Sequence, residues 1–152
     1  MKPRIKHKNT PQLFLRARES LMSHFRPILS HFNLTDQQWR ILRALDEHGE
    51  LESKELCKLC QIMSPSMPGV LMRMEDAKLI KREKMSGDQR RLIVQLAKKG
   101  DQLIEEIAPL IDAQYKNIEK VIGKDVLVNL THSLELFLSH EKELVPHLKL
   151  QQ

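Results

Sequence analysis

Apolar positions along the chain change their period from stretch to stretch, and each change marks an element boundary. Over residues 12–32, Leu21, Met22, Phe25, Ile28, Leu29 and Phe32 recur at three- and four-residue steps and predict an amphipathic helix. Pro27 sits inside that pattern and predicts a kink or a division. Polar Arg16, Arg18, Ser20 and His24 interrupt the stripe. Thr35-Asp36-Gln37-Gln38 has the form of a capping box for a second helix, which carries Trp39, Leu42 and Leu45 and stops at His48-Gly49. Leu51 adds a short strand. Ser53 then suits the cap of a third helix reaching about Cys60, with Leu56, Leu59 and Cys60 on one buried face.

Residues 61–96 organise the rest. Ser64 suits an N-cap and Pro65 the first helical position, where a missing N–H is not needed. Met67, Val70, Leu71 and Met74 follow at helical spacing and face a core, while Ser66, Pro68, Gly69 and Arg73 fall on the other side. That outer face is small and uncharged at its start and cationic a turn later, which lets it approach a groove closely. Leu79 and Ile80 then begin a strand, Met85-Ser86-Gly87-Asp88 supplies a turn, and Leu92, Val94 and Leu96 alternate onto one face of a return strand opened by Arg90 and Arg91. Between residues 73 and 91 there are seven Lys/Arg (73, 78, 81, 82, 84, 90, 91) against four Asp/Glu (75, 76, 83, 88), a cationic balance. A helix followed by a basic hairpin is the layout of a winged helix-turn-helix, with the helix in the major groove and the hairpin tip at the adjacent minor groove or backbone. A solvated hairpin on an ordinary α+β domain has the same pattern.

After Leu96 the pattern becomes helical again. Leu103, Ile104, Ile107, Leu110, Ile111, Ile118, Val121 and Ile122 predict a long helix bent at Pro109 and ended by Gly123. A last helix over 125–143 carries Leu127, Leu130, Leu134, Phe137 and Leu138, and the closing segment is apolar at Val145, Leu148 and Leu150. The helices at the two ends have more apolar surface than a head of residues 34–100 can cover. The economical arrangement is a two-fold dimer in which 12–33 and 101–152 interleave, duplicating the head so that it reads an inverted repeat. A monomeric bundle closing on itself is the alternative. The fold class is therefore mainly α with a small β-hairpin wing, dimerising through its N- and C-terminal helices. Residues 1–11, with Lys2, Arg4, Lys6 and Lys8 and no acid, form a flexible basic tail.

Composition narrows the function. The formal net charge of +5 suits a polyanionic partner, and 4% aromatics argue against a base-stacking platform for single-stranded RNA. No apolar run approaches a membrane span and no secretory signal opens the chain, so the expected compartment is the cytoplasm. Cys57 and Cys60 stand at a spacing that permits metal or redox chemistry, although a structural zinc needs four ligands and no second pair completes it. Buried, inert thiols are the plainer reading. Nothing resembles a phosphate-cradling loop, a metal-ligand set or a nucleophile motif, so neither an enzyme nor a cofactor is expected.

The segments LTDQQWRIL (34–42), SPSMPGVLMRMEDAKLIKRE (64–83) and DQRRLIVQLAKKG (88–100) resemble the MarR family of bacterial transcriptional regulators. Its wing has an Asp, one residue, then Arg, then a strand ending in a Leu-Thr-x-x-Gly-like segment; Asp88, Arg90 and Gly100 fit, with Ala97 in place of the Thr. Residues 16–29 and 37–42 are similar to the branch that represses homoprotocatechuate (4-hydroxyphenylacetate) catabolism. The resemblance implies that the helix from Ser64 enters the major groove, Arg90 inserts at the minor groove, and Asp88 holds Arg73 or Arg90. Ser64, Ser66, Met67, Pro68, Arg73, Lys84, Asp88, Gln89, Arg90 and Arg91 are the resulting DNA-binding candidates. That branch often has Arg where Ser64 stands and Thr where Pro68 stands, which implies a different operator. It also implies a cleft between the dimer helices and the head that takes a small aromatic carboxylate or phenol, with Arg16, His24, Trp39 and Arg40 as candidates. A repressor released by that ligand follows; a thiol- or metal-responsive regulator, or a family member governing efflux or fatty-acid resistance, is the alternative.

Overall fold

The computed structural model describes residues 1–151, and for Asp88 and Gln89 the backbone only. The elements are α1 (Thr10–Ser23), α2 (Arg26–His31), α3 (Asp36–His48), β1 (Leu51–Glu52), α4 (Ser53–Cys60), a 3-10 turn (Ser64–Ser66), α5 (Met67–Asp76), β2 (Ile80–Met85), β3 (Asp88–Leu96), α6 (Lys98–Ile122) and α7 (Lys124–Ser139).

The N-terminal pattern divides. The predicted tail gives way to α1 two residues early, because the Asn9 side chain accepts the Gln12 N–H at 3.3 Å and Pro11 occupies the first turn. Of the kink or division expected at Pro27, the division occurs: the helix breaks at His24–Phe25, with Pro27 in the first turn of α2 and Phe25 and Leu29 buried. The capping box of α3 forms as expected: Gln38 N–H donates to Thr35 Oγ1 and Thr35 N–H to Gln38 Oε1, both at 3.1 Å. Ile41, Leu42 and Leu45 enter the core from this helix, and a fully buried leucine such as Leu42 contributes about 1.5–3 kcal/mol.

Three starts and stops differ from the sequence pattern. The cap of α4 is Glu52, not Ser53; its side chain accepts from the Glu55 N–H while Glu55 Oε2 accepts the Glu52 N–H at 2.8 Å. Leu59 is 52% exposed, so only Leu56 and Cys60 of the expected trio are buried. Ser64 caps nothing with its side chain. Pro68 has no N–H to return to the carbonyl four residues back, so residues 64–66 close as a 3-10 turn and the α-helix starts at Met67.

The sheet is antiparallel in the order β1-β3-β2. Leu51 pairs with Val94 and Glu52 with Ile93, while β2 pairs with β3 from Ile80↔Leu96 to Lys84↔Leu92. The register shifts between Lys84 and Met85, and Gly87 turns the chain at φ 86°. Gly100 fixes where α6 begins: a Cβ there would collide with the Leu79 carbonyl, which also accepts the Ala97 N–H at 3.0 Å. The first turns of α6 thus pack directly on the corner between α5 and β2.

Residues 1–112 and 113–151 fall into separate compact units. The first holds most of the core, from Phe25 through Ile111. In the second, Ile118 is buried, whereas Val121 and Ile122 of the predicted stripe are exposed. α7 ends at Ser139, four residues short of the expected boundary, where Ser139 Oγ donates to the Leu136 carbonyl at 2.6 Å. It contains no buried residue among those described. Leu144, Val145, Leu148 and Leu150 lie exposed beyond it.

Candidate nucleic-acid interface

The reading face is built from the inside out. Met67, Val70, Leu71 and Met74 anchor α5 in the core, so Ser66, Pro68 and Arg73 must project outward, and all three are exposed, as is Ser64 in the turn before. Gly69 lies among them, half-buried, with Arg73 Nη1 3.4 Å from the position a Cβ would take. The result is a face with almost no side-chain bulk at its N-terminal end and a guanidinium folded back along it. Met67 is the exception among the candidates. At 1% exposure it belongs to the core and is withdrawn from DNA contact, because a residue one step from Pro68 on a helix faces away from it.

An ion pair ties the wing to this helix. Glu75, on the last turn of α5, accepts both the Arg82 backbone N–H at 3.1 Å and Arg82 Nη2 at 3.0 Å. The Arg82 hydrogen bond holds the Glu75 carboxyl below its ordinary value and raises Arg82 above its own. A second tie joins the wing root to α4. Arg91, exposed on β3, pairs with Glu52 at the β1–α4 corner, and that hydrogen bond lowers the Glu52 carboxyl. Lys84 and Arg90 are exposed on the two wing strands. Asp88 and Gln89, expected as DNA contacts, lie outside the described side chains.

The expected effector residues are only partly brought together. Trp39 is 7% exposed, and the guanidinium of Arg43, one turn further along α3, lies 5.9 Å from its ring centroid. Arg43 also pairs with Glu47. Arg40 is half-buried and turned the other way: its Nη1 donates to the Cys60 carbonyl and, at 3.3 Å, to that of Gln61. Arg16 and His24 are exposed on or just after α1, and among the described residues no hydrogen bond or ion pair joins them to Trp39 or Arg40. α1 reaches α3 through Arg18, whose Nη2 meets Asp36 Oδ2 at 2.8 Å. Arg18 and Arg43 were not singled out from the sequence; the i, i+4 spacing of Trp39 and Arg43 was the available signal.

Cys60 is buried, and burial pushes its thiol up, opposite to what a reactive thiolate requires. Among the described residues no group of three or more His, Cys, Asp or Glu is placed to hold a metal ion, and no helix is long and apolar enough to cross a membrane.

A helix with a low-profile outer face, packed on α3 and joined by an ion pair to a basic hairpin, defines a winged helix-turn-helix DNA-binding protein. Known proteins agree. The MarR family profile matches residues 34–92. The chain is 43% identical to the HTH-type transcriptional regulator FarR of Neisseria gonorrhoeae, over 86% of this chain and 89% of that protein. It is 39% identical to the homoprotocatechuate degradative operon repressor of Escherichia coli, over 88% and 90% respectively. The solved structure of NadR in complex with 4-hydroxyphenylacetate superposes with a TM-score of 0.79 at 42% identity, covering 90% of this chain and 97% of that one. The chain belongs to the MarR family and is a transcriptional regulator, not an enzyme.

Proposed function

We propose that the protein is a cytoplasmic, dimeric repressor that binds an inverted-repeat operator in double-stranded DNA and is released by a small aromatic carboxylate or phenol. Residues 34–100 act as the head, and the helical regions 12–33 and 101–152 pair two chains. Ser64, Ser66, Pro68 and Arg73 contact the major groove, Lys84 the backbone, and Arg90, with Asp88 and Gln89 beside it, the minor groove. The ligand settles against Trp39. Its carboxylate is drawn to Arg43, beside the Trp39 ring, and to Arg18, which pairs with Asp36 at the start of α3, in place of Arg16 and His24. An aromatic wall with cations at its edge suits an arylacetate.

The observation that carries the effector reading is the 42% identity, across 90% of the chain, with a protein crystallised on 4-hydroxyphenylacetate. The ligand must bind one head spacing more tightly than the other to shift DNA binding at all. Half-sites about one helical turn apart demand a fixed spacing, and a ligand that favours another spacing releases the operator. Thermal-shift and gel-shift titration with 4-hydroxyphenylacetate tests this. The expected result is a raised melting temperature, a weakened operator complex, and loss of both responses in Trp39→Ala. A panel of phenolic acids that moves neither quantity in the parent would refute the reading.

A further inference from the structure

Arg40 reaches from α3 to the turn that seats the reading helix. The carbonyls of Cys60 and Gln61 lie at the C-terminal end of α4, where Gln61 takes a left-handed conformation (φ 51°, ψ 50°). Helix-end carbonyls lack intrahelical donors and attract a cation. Two of them are satisfied locally: Cys57 accepts the Gln61 and Ile62 N–H groups, and Lys58 accepts Gln61 Nε2 at 2.9 Å. Those of Cys60 and Gln61 are held by the Arg40 guanidinium, and Cys60 Sγ returns a contact to the Arg40 carbonyl at 3.5 Å. Buried Ile62 follows at once, and buried Met67 opens α5 five residues later. The gripped turn is thus the segment that leads directly into the reading helix.

The other edge of the guanidinium is unfinished. Arg40 Nε and Asp36 Oδ1 are both buried, neither has a hydrogen-bond partner, and they face each other at 4.0 Å. Asp36 spends its other oxygen on Arg18 of α1, at 2.8 Å. One carboxylate thus stands between two guanidiniums, one on a helix of the proposed dimer region and one on the clamp. Two unsatisfied buried groups 4.0 Å apart gain by closing to hydrogen-bond distance. Arg18 opposes that closure for as long as it holds Asp36.

We propose that Arg40 is a positioning residue for the reading helix, and that Asp36, shared between Arg18 and Arg40, switches it between gripping the turn at residues 60–61 and releasing it. When Arg18 is drawn away, Asp36 closes on Arg40 Nε and turns the guanidinium off the two carbonyls. The release half rests on the effector reading above; the grip stands without it.

The test uses the full-length protein and an inverted-repeat duplex selected by the parent from random DNA. Arg40→Met lowers affinity for that duplex about tenfold or more without ligand, and 4-hydroxyphenylacetate then changes the remaining affinity by a factor approaching one. Calorimetry still records ligand binding. Arg40→Lys, whose single ammonium caps the same carbonyls, restores part of the DNA affinity. Asp36→Asn shrinks the factor by which the ligand weakens the complex. A folded Arg40→Met that binds the duplex as the parent does overturns the grip, and an unchanged ligand factor in Asp36→Asn overturns the switch. Should Arg40→Met not fold, Arg40→Gln, which keeps a polar side chain but has no cation to hold the two carbonyls, decides the grip: an affinity equal to that of the parent overturns it. Should the parent not bind 4-hydroxyphenylacetate, the effector reading fails alone and the ligand-free affinities still decide the grip.

Discussion

The head and the last helix put their apolar side chains to opposite ends. In the head, Ile41, Leu42, Leu56, Met74 and Val94 are sealed from solvent by neighbours from the same chain. In α7 no residue is buried, and Leu136, Phe137 and Leu138 stay open, with Phe137 66% exposed. α1 likewise buries nothing and leaves Leu13, Phe14 and Leu15 exposed. Contiguous apolar surface of this kind marks a place where another surface belongs. The head closes its core within one chain, whereas α1 and α7 bury no residue within it, the surface that the proposed dimer would cover.

The same substitution made in each region separates the two most strongly. Leu42→Ala leaves a cavity in a closed core and costs about 2–5 kcal/mol, read by chemical denaturation. Leu136→Ala shifts the unfolding of dilute protein by less than about 0.5 kcal/mol. It should instead weaken self-association measured by sedimentation. Equal, concentration-independent losses would show that α7 already has a core of its own.

A smaller effect distinguishes the head's surface from its interior. Arg90→Ala should cost about 1–3 kcal/mol of operator binding per wing, enough to remove the complex from a gel-shift titration, with dimer mass and melting temperature unchanged. Retained affinity would remove the wing from the interface. The smallest expected effect concerns the wing's hinge. Arg82 holds the Glu75 carboxyl below its ordinary value of 4.5, so the pair stabilises the fold above that pH and the contribution is lost as pH falls through the lowered value. Glu75→Gln keeps an acceptor for the Arg82 N–H but removes the charge. Its melting temperature should lie slightly below that of the parent at neutral pH and converge with it in acid; a gap that persists at low pH would mean the carboxylate charge is not what matters.

Local chemistry made much of the head legible. The capping box at Thr35, the turn at Gly87 and the core face of α5 each depend on residues within a turn of one another, and all three formed as the pattern implied. Partners far along the chain could not be read. Arg40 reaches Cys60 twenty residues away, and Arg91 reaches Glu52 thirty-nine away. Met67 shows a conflict within the pattern itself. Its position on the reading helix suggested contact, its spacing from Val70 and Met74 suggested burial, and packing decided for burial. The start at Ser64 was misplaced because Pro68, not Pro65, sets where a regular helix can begin.

Stoichiometry on DNA tests the proposed paired reading head most directly. Native mass spectrometry of the protein with its selected inverted-repeat duplex should record two chains per duplex, and a half-site duplex should bind about a hundredfold more weakly. One chain per duplex, bound equally well by a single half-site, would contradict it.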